Sequence, residues 1–149
     1  MGSFSDSPGA IYPALRRLQE KGLVKSRQQS GSGRRRQIVS LTPKGMAELK
    51  KWIAMPVTAE DVLRNLREFM LRFAFSETVL GAGATVELLK GLKTQLHEAL
   101  THLREQMDTL KPVLPLSGQL ALDSGVRGHE GLLEWCEHAL TAYASTSNR

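Results

Sequence analysis

At 149 residues the chain has room for one ordinary domain or two very small ones, which excludes a large α/β enzyme or a multi-domain machine. Hydrophobic residues make up 41% and charged residues 23%, the proportions of a chain that buries a core rather than those of a disordered tail. A single cysteine, Cys136, excludes an internal disulfide framework and a cysteine-based zinc site within one chain. No stretch approaches the roughly 18 uninterrupted apolar residues of a membrane span. The residues after Met1 hold no apolar signal core, so the expected location is the cytoplasm, with no membrane partner.

Charge divides the chain unevenly. Residues 1–53 carry eleven basic and three acidic residues, a net +8, whereas the remaining 96 residues carry nine basic and twelve acidic, a net −3. A basic head on a mildly acidic body suggests a polyanion-binding unit joined to one with another task.

Taken in chain order, Ser7-Pro8-Gly9 reads as a helix start, with Ser7 as cap and Pro8 at the first helical position. The helix runs to Gly22 and places Ile11, Leu15 and Leu18 on one face, with Tyr12, Arg16 and Gln19 on an adjacent stripe. Pro13 removes the bond to the Gly9 carbonyl and is expected to kink or loosen the first turn. Leu23 to Gln29 and Gln37 to Leu41 read as two strands joined by the Ser30-Gly31-Ser32-Gly33 turn and Arg34-Arg35-Arg36. Three adjacent arginines beside glycines at a hairpin tip suit contact with phosphates or a groove wall. Thr42-Pro43 starts a second helix with Met46, Leu49 and Ile53 on one face. Helix, two-stranded wing and helix, in that order, form the back half of a winged helix-turn-helix.

The run Ser7-Pro8-Gly9-Ala10-Ile11-Tyr12-Pro13-Ala14-Leu15-Arg16-Arg17-Leu18, then Lys21-Gly22-Leu23-Val24, the Gly-Arg of the wing, and Leu41-Thr42-Pro43-Lys44-Gly45 closely resemble the PadR family of bacterial transcriptional regulators. The resemblance implies that the first helix enters the major groove of duplex DNA and that the wing touches flanking backbone. Ser7, Gly9, Tyr12 and Arg16 then face DNA, while Arg34, Arg35 and Arg36 contact phosphate or the minor groove. Val39 stands where the family often has tyrosine. The family also places two helices ahead of this one, and seven residues precede Pro8, so the resemblance implies an N-terminally incomplete head.

In the body, Thr58 caps a helix from about Ala59, with Val62, Leu63, Leu66, Phe69, Met70 and Phe73 as a broad apolar stripe. Gly81-Ala82-Gly83-Ala84-Thr85 lacks a preceding strand and the third glycine of a phosphate loop, so it reads as a helix break. Leu89, Leu96, Leu103 and Leu110 then recur every seven residues, with Leu92 and Ala99 between, and Lys111 to Pro115 ends that helix. The last helix keeps a 4-3 seam through Leu122, Val126, His129, Leu133, Cys136, Leu140 and Tyr143, beside a strip of Gly125, Gly128 and Gly131. His97 and His102, five apart, share no helix face, so no metal site is expected. Phe69 to Phe75, the long helix from Val86 to about Leu110, and Leu132-Leu133-Glu134-Trp135 resemble the C-terminal helical domain of larger PadR proteins, the kind also found in virulence-activator regulators, where it serves dimerisation.

The expected protein is therefore mainly α. A winged helix-turn-helix DNA-binding domain over 1–55 is followed by a helical, coiled-coil-like dimerisation domain over 56–149. The function expected is that of a transcriptional regulator, a repressor binding a pseudo-palindromic operator as a homodimer through Leu89, Leu96, Leu103, Leu122, Val126, Leu133 and Leu140. Glycine-rich helix beside Trp135 and His129 suggests a site for a small aromatic effector. No cofactor, metal or catalytic residue is expected, because no nucleophile, base and orienter are grouped. The rival reading is an interaction protein that does not bind DNA, its body pairing with a full-length regulator.

Overall fold

A computed structural model describes residues 8–29 and 36–147. The chain divides into two compact units, Met1–Trp52 and Ile53–Arg149.

In the first unit, α1 (Pro8–Glu20) is one helix that continues through Pro13. It ends at Gly22, whose φ of 69° is the left-handed conformation glycine adopts without strain. The amides of Gly22 and Leu23 reach back to the carbonyls of Gln19 and Leu18, closing the helix in a Schellman motif. The chain then enters β1 (Val24–Gln29), which pairs antiparallel with β2 (Arg36–Leu41) in the register Val24↔Leu41, Ser26↔Val39, Gln28↔Gln37. α2 (Pro43–Ile53) follows.

Thr42 and Gly45 hold these pieces together. The Thr42 hydroxyl donates to the Gly22 carbonyl at 2.7 Å and accepts from the Gly45 amide at 3.0 Å, so one side chain joins the end of α1 to the start of α2. Gly45 packs on the backbone of Leu23 so closely that a Cβ there would overlap the Leu23 carbonyl. Apolar packing contributes little here, since Ile11, Leu18, Leu41 and Met46 remain more than a third exposed.

The second unit is helical. α3 (Ala59–Leu63) starts at a capping box in which Thr58 and Asp61 bond each other's backbone amides. α4 (Leu66–Leu80) follows after a break at Arg64 and Asn65. The sequence pattern runs one helix through this point. The structure divides it because the amides of Arg64 and Asn65 both turn back to the Glu60 carbonyl, and Asn65, a residue that favours caps over helix interiors, starts α4. Gly81, at φ 90°, separates α4 from α5 (Ala82–Leu110), where the sequence places a break. A single 3-10 turn, Lys111–Val113, leads into α6 (Leu116–Ser147).

The core of this unit is Val62, Phe69, Leu88, Leu89, Leu92, Leu96, Ala99 and Cys136, with Leu132, Leu133 and Leu140 packed against it. Each fully buried leucine or phenylalanine contributes about 1.5–3 kcal/mol relative to leaving it in water. The seams that sequence spacing assigns to pairing between chains thus pack against each other within one chain. Leu89 and Leu96 are fully buried and Val126 nearly so. A heptad repeat records that a helix has a helical neighbour but not which chain supplies it.

Candidate nucleic-acid interface

α1 carries the candidate recognition side chains on its open face. Gly9 and Arg16 are exposed, and Tyr12 is 67% exposed, the most exposed of the large hydrophobic side chains on α1 that stand in water, beside Ile11 and Leu18. The turn that begins α1 holds no acidic residue. Arg16 bonds Glu20 through Nε at 3.2 Å, an i,i+4 pair with both side chains mostly in water. Such a pair is worth about 0.3–0.5 kcal/mol, so the guanidinium exchanges partners readily. Gln19, one turn on, donates to the Ser26 hydroxyl at 2.6 Å and fixes the end of α1 against β1. Lys44 donates to the Lys21 carbonyl at 2.9 Å and holds a positive charge at the C-terminal end of α1.

Of the remaining sequence-selected residues, Ser7, Arg34 and Arg35 lie outside the described residues. Arg36 opens β2 and pairs with Gln29 across the sheet.

The groups named for pairing and for an effector lie in the second unit. Leu89, Leu96 and Val126 are buried as above, while Leu103, Leu122, Leu133 and Leu140 are half-buried. His129 and Trp135 stand six residues apart on α6, which places them on faces about 120° apart and does not bring them together. Trp135 packs edge-on against Phe73 at 5.2 Å and belongs to the margin of the core. His129 sets Nδ1 2.7 Å from the Gly125 carbonyl within its own helix, with Nε2 buried and unpartnered among the described residues. Burial pushes the Cys136 thiol up, and it donates to the Leu89 carbonyl at 3.3 Å, so it is held as a neutral packing group rather than a nucleophile. No group of three or more His, Cys, Asp or Glu side chains that could hold a metal stands among the described residues. No helix among them is long and apolar enough to cross a membrane.

Sequence reasoning missed Arg72. This residue of α4 is 3% exposed, sets Nη1 3.6 Å from Asp61, and donates through Nη2 to the carbonyls of Ile53 and Met55. It ties the segment after α2 to α3 and α4. No spacing rule marks it, since its partners are two carbonyls and a capping carboxylate distant in sequence.

Two family descriptions match the chain. Residues 1–51 match the Transcriptional regulator PadR-like family, and residues 67–144 match Virulence activator alpha C-term. By its body the chain belongs to the Virulence activator alpha C-term family, whose description matches more than half of it, and its head is similar to the PadR-like transcriptional regulators. The description that the head matches is one of transcriptional regulators. The transcriptional regulator Rv3488 of Mycobacterium tuberculosis is 46% identical over 43 residues, a match spanning 29% of this chain and 40% of that protein. Similar solved structures include Bacillus subtilis PadR in complex with operator DNA, 21% identical, covering 95% of this chain and 80% of that one with a TM-score of 0.46. A PadR-like regulator from Bacillus cereus is 22% identical, covering 94% of this chain and 78% of that one with a TM-score of 0.48.

Proposed function

We propose that the chain binds duplex DNA in the cytoplasm as a homodimer and represses transcription by occupying a pseudo-palindromic operator. In this reading α1 lies in the major groove with Ser7, Gly9, Tyr12 and Arg16 toward the bases and backbone. Arg34, Arg35 and Arg36 reach phosphate or minor groove beside it. The observation that carries the reading is the solvent-facing stripe of Gly9, Tyr12 and Arg16 on α1, in a unit that is similar to the PadR-like transcriptional regulators and carries the positive charge of the chain. Repression by occlusion requires tight binding and nothing further.

Pairing uses the faces that one chain leaves open. Beyond Leu100, α5 and α6 have mainly each other for cover, and Leu110, Val113, Leu116 and Leu120 remain exposed. Two such hairpins meeting about a two-fold axis bury those side chains in a four-helix arrangement, with the half-buried Leu103 and Leu122 at its edge.

Selection of bound fragments from genomic DNA at stated salt, followed by titration of the selected and a random duplex, tests the DNA reading. Preference for the selected duplex supports it; equal affinity removes the operator. Light scattering at micromolar concentration tests the pairing, with twice the 16.5 kDa chain mass expected. Changing Leu116 and Leu120 together to Glu is expected to give a folded monomer, whereas a monomer before substitution overturns the dimer.

A further inference from the structure

The segment that follows α2 is fixed to the second unit at two points. Arg72 donates to the carbonyls of Ile53 and Met55, and Val57 rests on α5 at Gly91, where a Cβ would stand 3.2 Å from Val57 Cγ2. Glycine is disfavoured inside a helix, and its contact with Val57 accounts for its place in the middle of α5. Held in this way, the segment spans α4 and α5 without filling the space beneath it, and a cleft of about 510 Å³ remains. Met55, Pro56 and Val57 form one wall and Leu80, Ala84 and Leu88 the other. That volume lies within the range of small-molecule sites, about 300–1,000 Å³.

The chemistry of the lining is one-sided. Its surface is mainly aliphatic, and no aromatic, Lys, Arg or His side chain stands in it among the described residues, so it offers neither a stacking face nor a cation. Its polar side chains are those of Ser76 and Glu87. Ser76 is fully buried, donates to the Phe73 carbonyl at 2.8 Å and lies 2.8 Å from Thr85 Oγ1, so its proton is committed within the core. Pro56 has no amide proton to give. Glu87 is paired with Lys90 at 2.7 Å, and both side chains stand more than half in water. An exposed pair of this kind holds its partners weakly, so a second cation can share the carboxylate. The side chains of the cleft thus accept hydrogen bonds and bring negative charge, and they donate nothing into it.

We propose that this cleft binds a small aliphatic amine, with its hydrocarbon chain between the segment and the α4–α5 wall and its ammonium on Glu87. Such a ligand supplies what the lining lacks, donors and positive charge. A carboxylic acid of the same shape meets Glu87 with like charge, and an alcohol of the same shape gains the apolar contact and a neutral hydrogen bond. The competing explanation is that the cleft is only the imperfect fit of an irregular segment against two helices, filled by water. The inference does not rest on the DNA-binding reading, and no DNA enters its test.

Octylamine, octanol and octanoic acid, alike in length and different in charge, are titrated into the full chain at neutral pH, where the amine is protonated and the acid ionised, with binding read by calorimetry. Octylamine is expected to bind about tenfold or more tighter than octanoic acid, with octanol between them. Glu87→Gln removes the charge and keeps the shape, and it is expected to bring amine and alcohol within about twofold of each other. Ala84→Leu fills the cleft and is expected to weaken octylamine and octanol alike by about tenfold or more, with unchanged circular dichroism, since losing the burial of two methylenes suffices for that. Lys90→Gln, which removes the competitor for Glu87, is expected to bind octylamine at least as tightly as the unsubstituted chain. No binding of octylamine at millimolar concentration, or equal binding of amine and acid, would overturn the inference. Binding by folded Ala84→Leu as tight as by the unsubstituted chain would do the same, since it would place the amine elsewhere. If Ala84→Leu fails to fold, the exposed Glu87→Gln decides, and an amine preference unchanged in that variant leaves the cleft without its ligand.

Discussion

Replacing Arg72 by Met keeps much of its volume while removing its charge and every hydrogen bond it donates. Breaking a buried ion pair by deleting one partner ordinarily destabilises by about 3–5 kcal/mol. Two features of this site reduce that figure. Asp61 keeps the Thr58 amide at 2.8 Å and the Thr58 hydroxyl at 3.0 Å, so its carboxylate stays hydrogen-bonded. The native Arg72 also leaves Nε buried without a partner among the described residues, a penalty of about 1–3 kcal/mol that the variant removes. The loss expected is about 2–3 kcal/mol, from the Ile53 and Met55 carbonyls left without their donor and the ion pair broken. For a unit of this size that lowers the melting temperature by roughly 10–20 °C. Thermal circular dichroism of the full chain reads it, since most of the helix lies in the second unit. Asp61→Asn, which can still accept from Thr58, is expected to lose only about 1 kcal/mol. An Arg72→Met protein within about 0.5 kcal/mol of the original would refute the reasoning. So would an Asp61→Asn loss as large as that of Arg72→Met, which would place the energy in the cap rather than in the arginine.

Gly45→Ala is expected to destabilise the first unit by about 1–3 kcal/mol, because the new methyl meets the Leu23 backbone and no rotamer can move it aside. Gly83→Ala, in a helix with open space around it, is expected to be neutral or stabilising by up to about 1 kcal/mol; an equal effect at both positions in chemical denaturation contradicts the packing argument. Cys136 is expected to react with a thiol reagent in the folded protein more slowly than in denaturant by a factor on the order of 10³ or more, reflecting the small open population, and prompt labelling of native protein would contradict its burial. The Tyr143 phenol donates to Glu77 at 2.6 Å, and that bond, helped by burial, raises its pKa. Since the folded value lies above the unfolded one of about 10, the bond stabilises fully below that pH and its contribution fades as pH rises through the folded value. Glu77→Gln is expected to lower the tyrosinate transition seen by ultraviolet absorbance, and an unmoved transition would count against the bond.

Much of this architecture is local enough to be legible in the residues. Gly22, Thr42-Pro43 and Gly81 mark ends because their backbone preferences act without help from the rest of the chain. The Leu41-Thr42-x-x-Gly45 motif was legible as a resemblance, and the structure supplies its reason: the threonine bonds both sides of the hairpin and the glycine admits the Leu23 backbone. The division of α3 from α4 was not legible, because Val62, Leu66, Phe69 and Phe73 keep helical spacing straight through Asn65. The seven-residue repeat in α5 gave a helical partner correctly and its chain of origin not at all. Arg72 was invisible because its partners are brought to it by tertiary contact. Tyr12 was legible in the opposite sense, as an aromatic residue outside the apolar face of its helix, and the structure leaves it in water.

The central claim is that α1 reads DNA sequence while basic side chains supply attraction that is blind to it. The most direct measurement is the affinity of the full chain and of Tyr12→Ala for a selected and a random duplex, both followed across salt. The account predicts that the substitution removes on the order of 1–3 kcal/mol of preference for the selected duplex and leaves the salt slope unchanged on both. A substitution that weakens selected and random binding equally would contradict it, as would a chain that shows no preference before Tyr12 is changed.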